Sequence, residues 1–504
     1  MRALELILSI VNVCALTALV APRLRASRWL RLVAPTSTVI AVSQILIEGS
    51  RWQMVPAYLM AAAFLLVWLA SAAQKPKRAI KRAGSMIAAV AKAAAMVLAG
   101  IVLAVSIALP TILPVFSFPK PTGQYKIGTV TYHWIDGNRP ELFTTNPKEH
   151  REIVAQVWYP AVQTRISRRA PYIEDAGIVT PVLARLFHLP SFFFSYFRYV
   201  DTNAELHAPV VHGTARYPVL IYLSGLAGFR TSSMFQIQTL VSHGYIVVGL
   251  DQPGASAAVR VSDGQTISVL PRAQIQPLID QSIDPVSSAP RLLGRPMPKG
   301  MLPYFAEDVR YAIDKLITLD EASSGDILAE RMDLHHIGVF GVSLGAMVAA
   351  EAAFLDSRID ATLMMDAAMP ESVVRGGLQQ PAMWMTRPAS SMRLERSRSG
   401  GWTEENIAQT LSSMQAVFNA HKPGSAYYLD MPGMFHVDFT DLPCWSPITE
   451  QLGLTGPVDG CRMLAAINAY SLAFFDQYLK GAVAPLLEGL ARQYPGVHLV
   501  LQQP

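Results

Sequence analysis

His336-Ile337-Gly338-Val339-Phe340-Gly341-Val342-Ser343-Leu344-Gly345-Ala346-Met347-Val348-Ala349-Ala350 is an unbroken apolar run that ends in G-x-S-x-G and continues into an Ala-rich stretch. An apolar run without polar alternation suits a strand covered on both faces, and the Ala-rich segment suits a helix packed against it. Chance produces G-x-S-x-G on its own; a strand before it and a helix after it make it a nucleophile elbow. There a tight turn lifts the serine above the edge of a sheet, and the small flanking residues prevent collisions. The plainer reading of the same residues is a Gly-lined helix start with Ser343 as its cap.

The surroundings decide between the two. From Tyr125 onward, short β-rich runs alternate with helical patterns, the sequence form of a mostly parallel sheet with helices on both faces. Strands are predicted at Gly128–Trp134, Ile153–Tyr159, Val219–Leu223, Ile246–Leu250, Ile337–Phe340, Thr362–Met365, Ala382–Met385 and Ala426–Leu429. The rhythm breaks over residues 162–216 and 255–303, predicted as inserts, and loops of that length are usually functional or disordered. Phe187, Phe192, Phe193, Phe194, Tyr196, Phe197 and Tyr199 crowd the first insert, as a lid, an acyl-binding wall, a membrane contact or a cluster buried against the sheet.

A serine hydroxyl is a weak nucleophile at neutral pH, so it needs a base within hydrogen-bond reach and an acid to orient that base. After an elbow, the chain order is Ser, acid, His. His436, in Met431-Pro432-Gly433-Met434-Phe435-His436, follows the last apolar strand in a Pro/Gly loop; His421 precedes that strand and His498 lies near the end. Asp366 closes the strand that follows the elbow helix, at the tip where α/β sheets bind ligands. Its plain alternative is a cap or turn residue, and Asp430 and Asp438 rival it by closeness in sequence to His436. Two backbone amides must also meet the oxyanion of an acyl-transfer intermediate. Leu344 supplies one, and the Gly-rich turn Ser224-Gly225-Leu226-Ala227-Gly228 is predicted to supply the other.

The first third reads differently. Between Met1 and Phe118 the acids are Glu5 and Glu48 alone, and apolar stretches run from Ala3 to Ala21, Leu32 to Ile47, Met54 to Ala73 and Ala93 to Val115. A membrane span takes about 20 residues, which three of these meet and the second does not. Arg23, Arg25, Arg28 and Arg31 fill the first connection, and Lys75, Lys77, Arg78, Lys81 and Arg82 the third. Under the positive-inside rule both face the cytoplasm, so the segment between them crosses twice. That arrangement predicts about four spans over residues 1–118 and a catalytic domain at 119–504 on the extracytoplasmic side. A cleaved signal peptide is the competing reading, which Arg23 and Arg25 oppose as a stop. No acid or histidine lies mid-span where a proton or ion path would need one, so the segment reads as an anchor.

Composition excludes other classes. The net charge of +5 comes with no Lys/Arg stripe interleaved with aromatics, so no nucleic acid partner is expected. Three cysteines, none in CxxC spacing or among histidines, indicate neither a disulfide scaffold nor a metal site, and no cofactor is implied. Cys14 reads as a small buried hydrophobe; Cys444 and Cys461 flank one loop and are left open as a pair.

With these residues in place, the domain resembles the plasma-type platelet-activating factor acetylhydrolase family of α/β-hydrolase lipases and esterases. The resemblance covers Val157-Trp158-Tyr159-Pro160, Ser224 to Arg230, Ser242-His243-Gly244-Tyr245, the elbow, and the loops bearing Asp366 and His436. It implies that the acid sits one strand after the nucleophile, at Asp366, that Leu226 and Leu344 supply the oxyanion amides, and that no metal is needed. Two departures are Ser224-Gly225-Leu226 in place of the family's His-Gly-Leu, and Leu344-Gly345-Ala346 closing the elbow without the family's bulkier aromatic. The expected function is a membrane-anchored serine esterase for lipid-like or short-chain acyl esters. Acyl transfer by the same triad and a non-catalytic hydrolase-fold binding protein are the alternatives.

Overall fold

The structure, a computed structural model, describes residues 1–20, 30–73, 86–163, 168–489 and 494–502. The chain divides into two compact units, Met1–Phe116 and Ser117–Pro504.

The first unit holds helices α1 (Ala3–Val20), α2 (Leu30–Ile47), α3 (Val55–Ala73) and α4 (Met86–Ile112). Three helical segments, Ala3–Val20, Trp52–Ser71 and Met86–Ile112, are long and apolar enough to cross a membrane, whereas the apolar part of α2, Leu32–Ile47, is shorter. Small residues line the interior, with Ala41, Ala57 and Ala61 packed on Leu8 and Met54, so the backbones approach closely. Several polar groups inside are paired: Ser37 donates to Asn12 Oδ1 at 2.5 Å, Asn12 donates to the Ala57 carbonyl at 3.1 Å, and the buried Arg51 meets Glu5 at 2.7 Å, though the buried Gln53 amide meets no partner among the described residues. Leu6, Ile10, Leu59, Leu66, Val97 and Leu98 point outward. Paired polar groups inside an apolar exterior suit hydrocarbon better than water. Cys14, expected to be buried, lies on the exposed side of α1. The basic residues Arg23, Arg25, Arg28, Lys75, Lys77, Arg78, Lys81 and Arg82 lie outside the described residues.

The second unit is built on an eleven-stranded sheet. In chain order its strands are β1 (Lys126–Pro140), β2 (His150–Ala161), β3 (Arg169–Pro171), β4 (Asp201–Leu206), β5 (Tyr217–Leu223), β6 (Ile246–Asp251), β7 (Met332–Val342), β8 (Ile359–Met365), β9 (Ala382–Thr386), β10 (Ala426–Asp430) and β11 (His498–Leu501). Across the sheet they lie in the order β11-β10-β9-β8-β7-β5-β6-β2-β1-β4-β3. The six strands from β10 to β6 are parallel, and β2 and β11 close this block antiparallel on either side. Every residue of β5, β6 and β9 is buried, as continuous apolar strands covered on both faces require.

Residue alternation along β7 sorts the covering layers. Ile337 and Val339 face a core that includes the helices Leu302–Asp320 and Leu344–Leu355, while Phe340 faces Phe475 of the helix Gly460–Leu479 at 6.0 Å between rings. The α/β-hydrolase arrangement expected from the sequence is therefore present, with all eight expected strands in place. The two inserts correct the expectation of long loops. Residues 162–216 hold β3, β4 and the helix Ala176–Leu186, and residues 255–303 hold a small hairpin and the helix Arg272–Ile283. β4 escaped notice because Asp201-Thr202-Asn203-Ala204-Glu205 buries only Thr202 and Ala204, too weak an alternation to read. The aromatic stretch is divided: Phe194, Tyr196 and Phe197 are buried, with Trp445 meeting Phe197 at 4.9 Å, while Phe187, Phe193 and Tyr199 are half-buried and Phe192 is exposed.

Arg151, fully buried at the start of β2, ties that strand to the helix Leu302–Asp320. It meets Asp308 at 2.6 Å and Glu141 at 3.0 Å, donates to the Pro253 carbonyl, and lies 4.9 Å over the Tyr304 ring. Removing one partner of such a group strands the others without water. Arg151→Met is expected to destabilise the protein by about 3–5 kcal/mol in urea unfolding followed by tryptophan fluorescence; a loss below about 1 kcal/mol would show that the carboxylates find other partners.

Candidate active site

Because six strands run parallel, their C-terminal ends share one rim, and each leads into a polar or Gly-rich turn there. Ser343 follows β7 with φ 56° and ψ −125°, a left-handed conformation that non-glycine residues rarely adopt. Its amide is held by the Met365 carbonyl at 2.9 Å. The flanking glycines are required by space. A Cβ at Gly345 would stand 2.1 Å from the Leu223 carbonyl oxygen, and one at Gly341 would stand 2.4 Å from the Gly345 carbonyl carbon. Strand, turn and helix start therefore touch backbone to backbone.

Asp366 follows β8, also left-handed at φ 48°, its amide held by the Met385 carbonyl at 2.8 Å. The side chain is fully buried. Its Oδ2 meets His436 Nδ1 at 2.6 Å and accepts from Arg387 Nε at 2.8 Å, and Oδ1 accepts from the Thr386 hydroxyl at 3.2 Å. Burial alone would raise this carboxyl, but the charge of Arg387 and the hydrogen bond from His436 outweigh it and hold the group down to about 2. An ionised Asp366 can only accept, so Nδ1 carries the proton and Nε2 is free to accept from Ser343 Oγ, 2.8 Å away. His436 begins the turn His436–Phe439 beyond β10 and keeps about a quarter of its side chain exposed.

Such a chain of bonds leaves the serine proton with somewhere to go and orients the ring that takes it. Two amides complete the surroundings. Leu344 opens the helix Leu344–Leu355, and Leu226 lies in the turn whose Gly225 would bring a Cβ within 3.2 Å of Ser343 Cβ. Among the described residues neither amide meets an acceptor. They sit at the positive end of a helix and in a turn bent by Ala227 at φ 59°.

The rival residues lie elsewhere. His421 meets the Gln380 carbonyl at 2.8 Å, and His498 is paired with Asp430 across β10 and β11. Asp438 Oδ2 accepts from the amides of Phe435 and Gly456 at 2.7 and 2.8 Å, and burial pushes its carboxyl up to about 7. Sequence reading missed Arg387, Glu395 and Trp402. Arg387 is buried behind Asp366, Glu395 meets both Arg387 and the His436 amide, and the Trp402 ring lies 5.2 Å from that of His436. The signal for Arg387 was a charge directly after an apolar strand, legible only once β9 is known to lie beside β8. Among the described residues no cluster suited to a metal ion occurs.

A family model described as Platelet-activating factor acetylhydrolase, isoform II, matches residues 113–269. The match includes β1 to β6 and the Leu226 turn and ends before the elbow. Among solved structures the chain is similar to a ferulic acid esterase from Streptomyces cinnamoneus, at 22% identity over 76% of this chain and 99% of that one, with a TM-score of 0.57. No curated protein matches the chain. The resemblance noted in the sequence is thus met by the family match, which supports a carboxylic-ester hydrolase, and the solved structure shares the fold.

Proposed function

We propose that the chain is a membrane-anchored serine esterase that acts on lipid-like or short-chain acyl esters through Ser343, His436 and Asp366. The observation that carries this reading is the continuous hydrogen-bonded relay from Asp366 Oδ2 through His436 to Ser343 Oγ at the strand rim. Ser343 Oγ attacks the ester carbonyl while His436 Nε2 takes its proton, and the amides of Leu226 and Leu344 receive the negative oxygen. His436 then protonates the departing alcohol, leaving an acyl group on Ser343. Water, activated by the same nitrogen, attacks that acyl carbonyl; the acid leaves and Ser343 regains its proton. Asp366 stays ionised throughout and holds the imidazole in the tautomer both halves need. The match to a platelet-activating factor acetylhydrolase model supports a phospholipid-like ester with a short acyl group, and the ferulic acid esterase neighbour adds phenolic esters to the panel worth testing.

Three helices of the first unit are long and apolar enough to span, and the basic connections read under the positive-inside rule make α2 a fourth crossing, with the hydrolase domain outside the cytoplasm. One reagent tests both parts. A membrane-impermeant fluorophosphonate is expected to label the full chain on intact cells, and labelling only after lysis would place the domain in the cytoplasm. A chain that stays unlabelled after lysis, beside an esterase that labels, would end the esterase reading. Hydrolysis of p-nitrophenyl esters of increasing acyl length then ranks the substrates.

A further inference from the structure

Arg387 is placed where it can act on both ends of the histidine. It follows β9, whose Met385 lies in register with Met365 of β8, so the two strand tips bring Arg387 against Asp366. Its Nε donates to the same Asp366 oxygen that receives His436 Nδ1, at 2.8 Å. Its Nη1 donates to Glu395 Oε2, and that oxygen also accepts the backbone N–H of His436 at 3.3 Å. The guanidinium face is covered by Trp402, 4.9 Å from the ring centre, and the same indole stands edge-on to His436. Trp402 has φ 34° and follows Gly400 and Gly401 at 81° and 80°, three successive left-handed residues that fold the indole back over the pair.

Resting on the esterase reading, we propose that Arg387 is a positioning residue for His436, fixing its ring through Asp366 and its main chain through Glu395. A fully buried arginine is a poor way merely to fill space, because desolvating the cation is repaid only by well-placed partners. Here the partners are the two carboxylates that touch the histidine. A third donor, Thr386, occupies the other oxygen of Asp366, so the carboxylate has one orientation and Nδ1 one direction in which to donate. The arrangement also sets the charge around the imidazole. Asp366 and Glu395 face it as anions and Arg387 as a cation, Asp438 lies on its own turn, and Arg398 lies 5.8 Å over the neighbouring Phe435 ring.

The two roles separate in the pH dependence of kcat/KM for a p-nitrophenyl ester, measured on the full chain in detergent. Removing the cation makes the imidazole easier to protonate, so Arg387→Gln moves the acid limb up by about 1 pH unit. Removing the anion does the reverse, and Glu395→Gln moves it down. Asp438 feels the same two charges, raised by Glu395 and lowered by Arg387, so all the proteins are compared in an Asp438→Asn background, which keeps an oxygen to accept the Phe435 and Gly456 amides and removes that titration. With the ring less well held, kcat falls by about 10–100-fold in Arg387→Gln while KM changes little. Arg387→Lys, which keeps the charge but not the fork, returns the limb to its wild-type place and restores part of kcat. Acid limbs that superimpose for wild type, Arg387→Gln and Glu395→Gln overturn the proposal and leave Arg387 as packing. If Arg387→Gln does not fold, Glu395→Gln alone decides: a lowered limb supports the proposal and an unchanged one overturns it. Failure of the wild type to react with a fluorophosphonate is a separate result, which removes the esterase reading itself.

Discussion

Replacing Ser343 with alanine is expected to lower kcat for ester hydrolysis by about 10⁶-fold and to abolish fluorophosphonate labelling, while leaving the fold intact. The size of the loss follows from what remains. Without Oγ, His436 Nε2 has nothing to deprotonate, and only water held near the amides of Leu226 and Leu344 can react, so a residual rate of about 10³–10⁴ over the uncatalysed reaction is expected. The alanine costs little in stability, because the hydroxyl makes its hydrogen bond to the partly exposed His436. The strained backbone at φ 56° persists in the variant, held by the Met365 carbonyl and the glycines on either side. Activity within tenfold of wild type, with Ser343→Ala folded by tryptophan fluorescence, would show that the nucleophile lies elsewhere.

Asp366→Asn is expected to lower kcat by about 10⁴-fold without unfolding the protein. Two donors, His436 Nδ1 and Arg387 Nε, converge on one oxygen of Asp366. An amide offers one oxygen and one N–H₂ in place of two anionic oxygens. If the amide turns its N–H₂ to the histidine, Nδ1 becomes the acceptor and the ring proton moves to Nε2, where it faces Ser343 and cannot take a proton from it. The change also removes a pH-linked contribution to stability. Since the folded carboxyl is held at about 2, below its unfolded value, Asp366 contributes stability above roughly pH 4 that is lost as the pH falls through about 2. Acid unfolding of Asp366→Asn should therefore be less steep than that of wild type in this window. A kcat within tenfold of wild type would assign the orienting role to another group.

Much of this was legible in the residues because the physics involved is local. A run such as Val219–Leu223 can only be a covered strand, and G-x-S-x-G between a strand and an Ala-rich helix needs its glycines for reasons of space that the structure makes explicit at Gly341 and Gly345. The structure brings Ser343, Asp366 and His436 together because each ends or follows a strand of one parallel block, and parallel strands deliver their ends to one side. What the residues did not reveal depends on neighbours across the sheet. β4 and β11 gain their place from pairing with β1 and β10, and neither has an alternation strong enough to announce itself. Arg387 looks like any charge at a strand end until β9 is laid beside β8, and Trp402 lies beyond the helix Ala389–Ser399, with nothing local to aim it at His436. The aromatic stretch of the first insert allowed several readings because composition does not say which way a ring faces.

Gly225, Gly341 and Gly345 leave no side chain among the three pieces of main chain that meet at Ser343. The main chain that carries the reactive oxygen is consequently fixed by peptide against peptide, which insulates its position from drift in the surrounding side chains. Substitutions in the inserts at residues 162–216 and 255–303 lie outside these three pieces of main chain and leave the backbone at Ser343 in place.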